Sequence, residues 1–554
     1  VTDTLLVFAL LALTAALSIP VASLLGRALD TTGDRLDAVL DRVLGPRRFQ
    51  DLRGYLGALF AFNTILFGVS WFVFAFQGSL PLNPDSIGGM PPDLAFHTAS
   101  SFTTNTNLQH YSGEVALSCL SQILGVGWLQ FTSAASGIAC LAALARGLRG
   151  ERHDGRLTLG DFHRDVARVV VFVLLPLSLV VALLLIVGGT PMTLEGAAVA
   201  ETLEGSVQRI ARGPVAAIVA IKQLGTNGGG YFGPNSTHPF ENPSLFTAFV
   251  EASAILLIPM ACVWLFGRMT RRPGDARVIF AAMTALFLLF SIPATQLELA
   301  PNAAVAGLDV AAGPNLEGKE LRFGEAVGSF WAVATTSTSN GSVAAMHDSL
   351  QPLTGLIALG GMFLSCIYGG VGVGMINMFL YVILAVFLAG TMVGRTPEYL
   401  GRKVEAREMT LATLALLLPP LLILGGTAIF AATDLGASTT SNPGPHGFSQ
   451  ILYEMSSAAA NNGSGFEGLG DDTVPWNVVT GLWMILGRYL PIVLPLAIAW
   501  NLGGKRLVPE TSGTLRTNTF VFGAFLVGSV LLLGALLFLP AAVLGPVAEH
   551  LRLG

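Results

Sequence analysis

Apolar residues run along this chain in long blocks separated by short polar loops, with no alternation of period two. A block of roughly 20 residues at 1.5 Å rise covers a hydrocarbon core of about 30 Å, so each block predicts a membrane-crossing helix. Ten such blocks centre on residues 4–26, 55–77, 115–145, 168–188, 246–267, 278–296, 353–393, 409–431, 478–501 and 519–545. The seventh is interrupted by Tyr368-Gly369-Gly370-Val371-Gly372-Val373-Gly374-Met375, and so many glycines predict a helix break at membrane depth. Four semi-apolar segments, 92–101, 207–224, 324–336 and 448–459, are too short or too polar to cross and predict re-entrant helices. The fold class expected is therefore an all-α polytopic membrane protein.

Composition agrees with that pattern: 52% of the 554 residues are hydrophobic and 12% charged, far from the usage of soluble domains. The charge that remains sets an orientation, because cytoplasmic loops retain Lys and Arg. Loops 27–53, 146–168, 268–277, 395–407 and 505–516 hold 23 of the 30 basic residues, and they alternate along the chain. Both termini are thus expected on the outer side. The first span lacks a basic flank in Val1-Thr2-Asp3-Thr4, so it is expected to be a retained helix rather than a secretory signal. The four cysteines, Cys119, Cys140, Cys262 and Cys366, fall in apolar blocks without a CxxC pair, which points to packing rather than to a metal or disulfide.

A small polar stretch follows each of the four short segments. These are Thr104-Asn105-Thr106-Asn107, Thr226-Asn227-Gly228-Gly229, Ser339-Asn340-Gly341-Ser342 and Asn461-Asn462-Gly463-Ser464. Asn105, Asn227, Asn340 and Asn462 lie 122, 113 and 122 residues apart, the signature of an internal repeat. The chain then divides into 1–53 (an extra helix and basic loop), four repeats at 54–150, 151–272, 273–400 and 401–510, and an extra helix at 511–554. Each repeat reads as span, pore helix, polar loop and span. Non-helical backbone at membrane depth is tolerated only where it is buried or faces a water-filled cavity. Four such loops around one axis would present rings of carbonyl dipoles able to replace the hydration shell of a monovalent cation. No carboxylate lies inside the stretches, which argues against a divalent ion there. Gly228, Gly341 and Gly463 are expected at equivalent positions, with Thr106 in that place in the first repeat.

These motifs, with Asn235-Ser236-Thr237-His238-Pro239-Phe240-Glu241-Asn242-Pro243 and Ala460-Asn461-Asn462-Gly463-Ser464-Gly465-Phe466, resemble the potassium-binding A subunits of bacterial Kdp potassium-transporting ATPases over essentially the whole chain. Leu108 departs from the pattern, standing where the family has an aromatic. The resemblance implies a superfamily of potassium transporters with four fused span-pore-span repeats. It further implies selection of potassium at the outer face of the bacterial inner membrane and a tunnel toward a separate P-type ATPase subunit (B). Two small membrane subunits (C and F) complete the implied complex. The chain has neither a GxxxxGK[ST] nor a DKTG motif, so no ATP site is expected on it.

The resemblance also makes Gly369, Gly370, Gly372 and Gly374 gate candidates below the filter, against the plainer reading of a flexible helix break. Arg488 is the clearest basic residue inside a span, and intramembrane charges usually face a cavity or partner. It is either a barrier beneath the filter or the partner of a carboxylate such as Glu454. The depth of Lys222 is open at this level. A channel or ion-coupled transporter of the same superfamily is the nearest rival, distinguished by whether an ATPase subunit co-purifies. A membrane enzyme using His347 and Asp348 is a third reading, but neither residue has metal-ligand spacing or a nucleophile motif. His238 beside Glu241 reads as outer-loop hydrogen bonding. Glu317, Glu320, Asp471 and Asp472 would add a mild, salt-screened attraction for cations.

Overall fold

The computed structural model describes residues 2–30, 34–302, 313–508 and 515–553; Val1 and the boundary drawn at 511 lie outside the described residues. Ten helices in it are long and apolar enough to cross a membrane: Thr4–Asp30, Leu52–Ser79, Ser121–Arg149, Phe162–Val187, Leu245–Met269, Pro273–Leu299, Val373–Met392, Ala406–Ala431, Val474–Gly504 and Phe520–Leu553. They correspond one to one with the blocks read from the sequence. The long seventh block splits into Pro352–Leu364 and Val373–Met392, with the predicted break between them. Among the described residues the strands form three two-stranded hairpins in loops.

The four short segments are helices Pro92–Thr103, Val215–Leu224, Glu325–Ser337 and Pro445–Ala459. The second is shorter than its segment. Val207–Ile210 is a strand paired with Ala198–Glu201, and Gly213-Pro214 separates it from the helix because proline favours the helix start but not its interior. Each short helix packs against the helices that precede and follow it in the chain, the third against Pro273–Leu299 and the 13-residue Pro352–Leu364.

The helices differ in what surrounds them. Ser121–Arg149, rich in Ala, Ser and Gly, is almost wholly buried, whereas only a minority of the residues of Leu52–Ser79 and Phe520–Leu553 are buried. Small side chains let backbones approach where lipid provides no hydrophobic drive for association: a Cβ on Gly137 would lie 2.2 Å from Val371 O, and one on Gly503 would lie 2.2 Å from Gly147 O.

Two basic loops are joined by buried arginines of the second, Arg164 and Arg168, that reach aspartates of the first, while Arg146–Asp165 and Arg164–Asp161 tie the second loop to itself. Arg164 reaches Asp41 and Asp161, Arg168 pairs with Asp34 (2.7 Å) and Asp37 (3.1 Å), and Arg146 grips Asp165 in a bidentate pair at 2.5 and 3.0 Å. This explains how loops so rich in arginine remain close to one another.

Candidate ion-binding site

The four polar stretches sit at the C-terminal ends of the four short helices, and their backbones follow one pattern. In the first, Asn105 and Asn107 have φ of 63° and 58°. In the others the left-handed pairs are Thr226 and Gly228, Ser339 and Gly341, and Asn461 and Gly463. This corrects the sequence alignment of the loops: Asn107, not Thr106, occupies the place of Gly228, Gly341 and Gly463. Asparagine tolerates the left-handed region better than other residues with a side chain, which is why this loop can dispense with glycine. A β-branched Thr226 at φ 46° is a strained choice that its surroundings must enforce.

Hydrogen bonds fix the orientation of these loops. Thr106 N and Asn107 N both donate to Ser101 O, at 3.0 and 3.3 Å, and Asn227 N and Gly228 N both donate to Lys222 O, at 2.9 and 3.3 Å. Asn340 N donates to Thr335 O and Gly341 N to Thr335 Oγ1; Asn462 N donates to Ser457 O and Gly463 N to Ser457 Oγ. In each loop two successive N–H groups therefore point back at the short helix. In a trans peptide the preceding carbonyl points the opposite way, so two successive carbonyls of each loop point forward. Alternating left-handed residues make this possible, since an extended chain would alternate its peptide groups.

The loops also meet one another in order. A Cβ on Gly228 would lie 1.9 Å from Asn340 O, one on Gly341 2.3 Å from Asn462 O, and one on Gly463 2.1 Å from Thr106 O. The circuit closes at Gly229, whose Cβ would lie 2.9 Å from the Cβ of Asn107. Among the described residues, the carbonyl oxygens of Thr106, Asn227, Asn340 and Asn462 accept no hydrogen bond. The amide of Asn107 is likewise buried with Oδ1 and Nδ2 unpartnered.

Side chains brace the ring from behind. Asn461 Nδ2 donates to Thr106 Oγ1 (2.8 Å), Asn462 Nδ2 to Thr335 O (2.9 Å), and Ser133 Oγ to Asn105 Oδ1 (2.8 Å) and Asn227 Oδ1 (3.1 Å). Gln130 Nε2 reaches Gly229 O at 3.2 Å. Gln130 and Ser133 were not singled out in the sequence, although two polar residues at i, i+3 inside a span are a readable signal. Leu108, the departure from the family pattern, packs against Ala458 and Met484 and its carbonyl accepts from Ser101 Oγ at 2.9 Å.

The motif at 235–243 is a scaffold for the second loop. Asn235 Nδ2 donates to Gly228 O at 2.7 Å, and Lys222, fully buried, donates to Asn235 Oδ1, Ser236 Oγ and the buried carboxylate of Glu241. Glu241 in turn accepts from Phe232 N at 2.9 Å. Lys222 thus lies behind the loop, holding its supports together. His238 stacks on Phe232 with centroids 3.8 Å apart, and His347 faces Tyr453 OH at 2.9 Å.

The interrupted helix lies against the same loops. Gly370 N donates to Thr338 O at 2.7 Å and Val371 N to Thr226 Oγ1 at 2.9 Å. Of the four glycines, Gly370 and Gly372 have positive φ (25° and 81°), and Gly374 is so close to Gly369 that a Cβ would fall 1.5 Å from its carbonyl oxygen. Arg488 sits beside them, donating to Ser133 O at 3.1 Å. The sequence alternative of an Arg488–Glu454 pair is corrected, because Glu454 faces His110 instead, at 3.1 Å; among the described residues Arg488 has no ion pair. A narrow cavity beneath the loops is lined by Asn105, Ser339, Gly370, Asn461 and Arg488. It continues sideways between Val373–Met392, Ala406–Ala431 and the last long helix, reaching Pro419, Pro420 and Phe538.

Outside the ring, His446 is clamped between Asp348 Oδ1 (2.9 Å) and Glu549 Oε1 (2.8 Å). Burial opposes its charge, but hydrogen bonds to the two carboxylates outweigh it and push its pKa up to about 10. The charged form is therefore favoured by folding. That stabilisation is complete below the ordinary value of 6.5 and is lost as pH rises through about 10. Thermal unfolding should show wild type losing its advantage over His446→Gln across that window, and a pH-independent difference would refute the clamp.

A family model for the potassium-transporting ATPase A subunit matches residues 4–551. Among solved structures, the crystal structure of the potassium transporter TrkH from Vibrio parahaemolyticus aligns with a TM-score of 0.53 and 15% identity, over 88% of this chain and 96% of that one. At that identity the likeness is one of fold.

Proposed function

The chain belongs to the potassium-transporting ATPase A subunit family, and from that premise we propose how it performs its part. It is a potassium-binding membrane transport protein, and its family places it in a multisubunit complex. In our reading the four polar stretches are one selectivity filter at the outer end of the path, formed by four span-pore-span repeats with an extra helix at each end of the chain. The filter residues are 104–107, 226–229, 339–342 and 461–464. The observation that carries this is the paired N–H groups tied back to each short helix, which leave the carbonyls of Thr106, Asn227, Asn340 and Asn462 unbonded. Fixed carbonyl dipoles that need no reorganisation suit a weakly hydrated monovalent cation better than a divalent one.

Below the filter, the loop of Gly369, Gly370, Gly372 and Gly374 serves as the gate, and the unpaired charge of Arg488 opposes free downward flow. The sideways cavity gives the ion an exit toward a P-type ATPase subunit (B), with subunits C and F completing the complex and the basic loops and ATP chemistry on the cytoplasmic side. Purified complex containing this chain should hydrolyse ATP in response to potassium and not to sodium. Vesicles carrying Arg488→Gln should leak potassium without ATP. A complex stimulated equally by both ions would remove the filter assignment, and a tight Arg488→Gln variant would remove the barrier.

A further inference from the structure

At the outer mouth, segments from opposite ends of the chain converge on one imidazole. His110, just after the first polar loop, has Nε2 3.1 Å from Glu454 Oε1 and 3.9 Å from Asp471 Oδ2. One ligand atom from each of these residues lies within 4.8 Å of the other two. Such a gathering of acid and imidazole would not by itself make a site, but three further observations point to a cation.

The tautomer is the first. Asn477 Nδ2 donates to Asp93 Oδ2 (2.8 Å) and Asp472 Oδ1 (3.2 Å), so its Oδ1 must be the atom facing His110 Nδ1 at 2.7 Å. His110 Nδ1 therefore carries the proton, and in the neutral ring Nε2 presents a lone pair toward two carboxylates. Metal-bound histidines are commonly oriented in this way, by a hydrogen bond from the other ring nitrogen. The second is that Glu454, 1% exposed, has Oε2 buried without a hydrogen-bond partner. The third is a dry wall: His97 stacks on His110 with centroids 3.8 Å apart, and both its ring nitrogens are buried and unpartnered. One imidazole nitrogen and two carboxylates converge here, and their ligand atoms repel unless a positive species, a proton or a metal ion, sits between them.

We propose that His110 Nε2, Glu454 and Asp471 form a binding site for a divalent transition-metal cation of the zinc class. A tetrahedral ion with bonds of about 2.0–2.1 Å needs ligand atoms about 3.3–3.5 Å apart, which lies between the 3.1 Å from His110 to Glu454 and the 3.9 Å from His110 to Asp471. One imidazole with two carboxylates favours zinc over calcium or magnesium, which take oxygen ligands. Asp471 has 27% of its side chain exposed and supplies the way in, leaving the fourth position to water. The bound ion would pin the first polar loop to the fourth short helix on the outer side, apart from the potassium path itself.

The test is zinc titration of the purified complex, made without a histidine tag and followed by calorimetry and by thermal unfolding. Wild type should bind one zinc equivalent that Asp471→Asn and His110→Gln each weaken at least about tenfold, while His446→Gln retains it. Zinc should raise the unfolding temperature of wild type only. If His110→Gln fails to assemble, the partly exposed Asp471→Asn decides. No zinc equivalent sensitive to Asp471, or one that calcium displaces equally well, would overturn the proposal and leave a proton as the species bridging His110 and Glu454.

Discussion

Gly228→Ala should raise the potassium concentration that half-activates ATP hydrolysis by at least about 100-fold, equivalent to about 2.7 kcal/mol. Two independent penalties act on that methyl group. Gly228 has φ 79°, a region that costs an L-residue roughly 1–2 kcal/mol. Its Cβ would also lie 1.9 Å from Asn340 O and 2.6 Å from Ser342 N. Both are backbone atoms of the neighbouring loop, so no side chain can swing aside to relieve the contact. The oxygen displaced is one of the four unbonded carbonyls, and re-aiming it should also admit sodium. Gly528→Ala is the control, since nothing lies within 4 Å of its added Cβ. Potassium activation unchanged in Gly228→Ala would place ion selection elsewhere.

The second large effect is expected from Lys222→Met. Lys222 and Glu241 are both fully buried and paired, and removing one partner of such a pair costs about 3–5 kcal/mol because the other charge is left uncompensated. Asn235, which holds Gly228 O, and Ser236 would lose the same donor. The unfolding temperature of the complex should fall on the order of 5–10 °C, with weaker potassium activation alongside. Lys222→Met combined with Glu241→Gln should recover part of the stability, since no unpaired charge remains. A single variant as stable as wild type would show that the pair is not a structural support.

Much of this was legible beforehand, for a physical reason. Lipid requires long apolar helices with internally satisfied backbones, so the ten spans and the break near Gly369 could be read from composition along the chain. The glycine-rich stretches were conspicuous because polar backbone is so costly in that setting. The register of the first loop was misread because Thr104-Asn105 looks like Thr226-Asn227 in letters. What defines equivalence is which residue is left-handed and which N–H returns to the short helix, and Asn107 can adopt there what glycine adopts elsewhere. Segment 207–224 was read as one element because apolar content alone does not separate a strand from the helix that follows Gly213-Pro214.

The sequence by itself determined the membrane class, the spans, the helix break and the family, because each rests on local composition or on contiguous motifs. Only the tertiary structure decided that Glu454 belongs to His110 rather than to Arg488, that Lys222 stands behind the second loop, and that the four loops touch in a closed circuit. The first and the last of those relations join residues more than 100 positions apart, and the second links Lys222 across a turn to Asn235, Ser236 and Glu241. They depend on how helices cross and on which backbone groups remain unpaired at the centre, and a linear pattern of side chains carries neither.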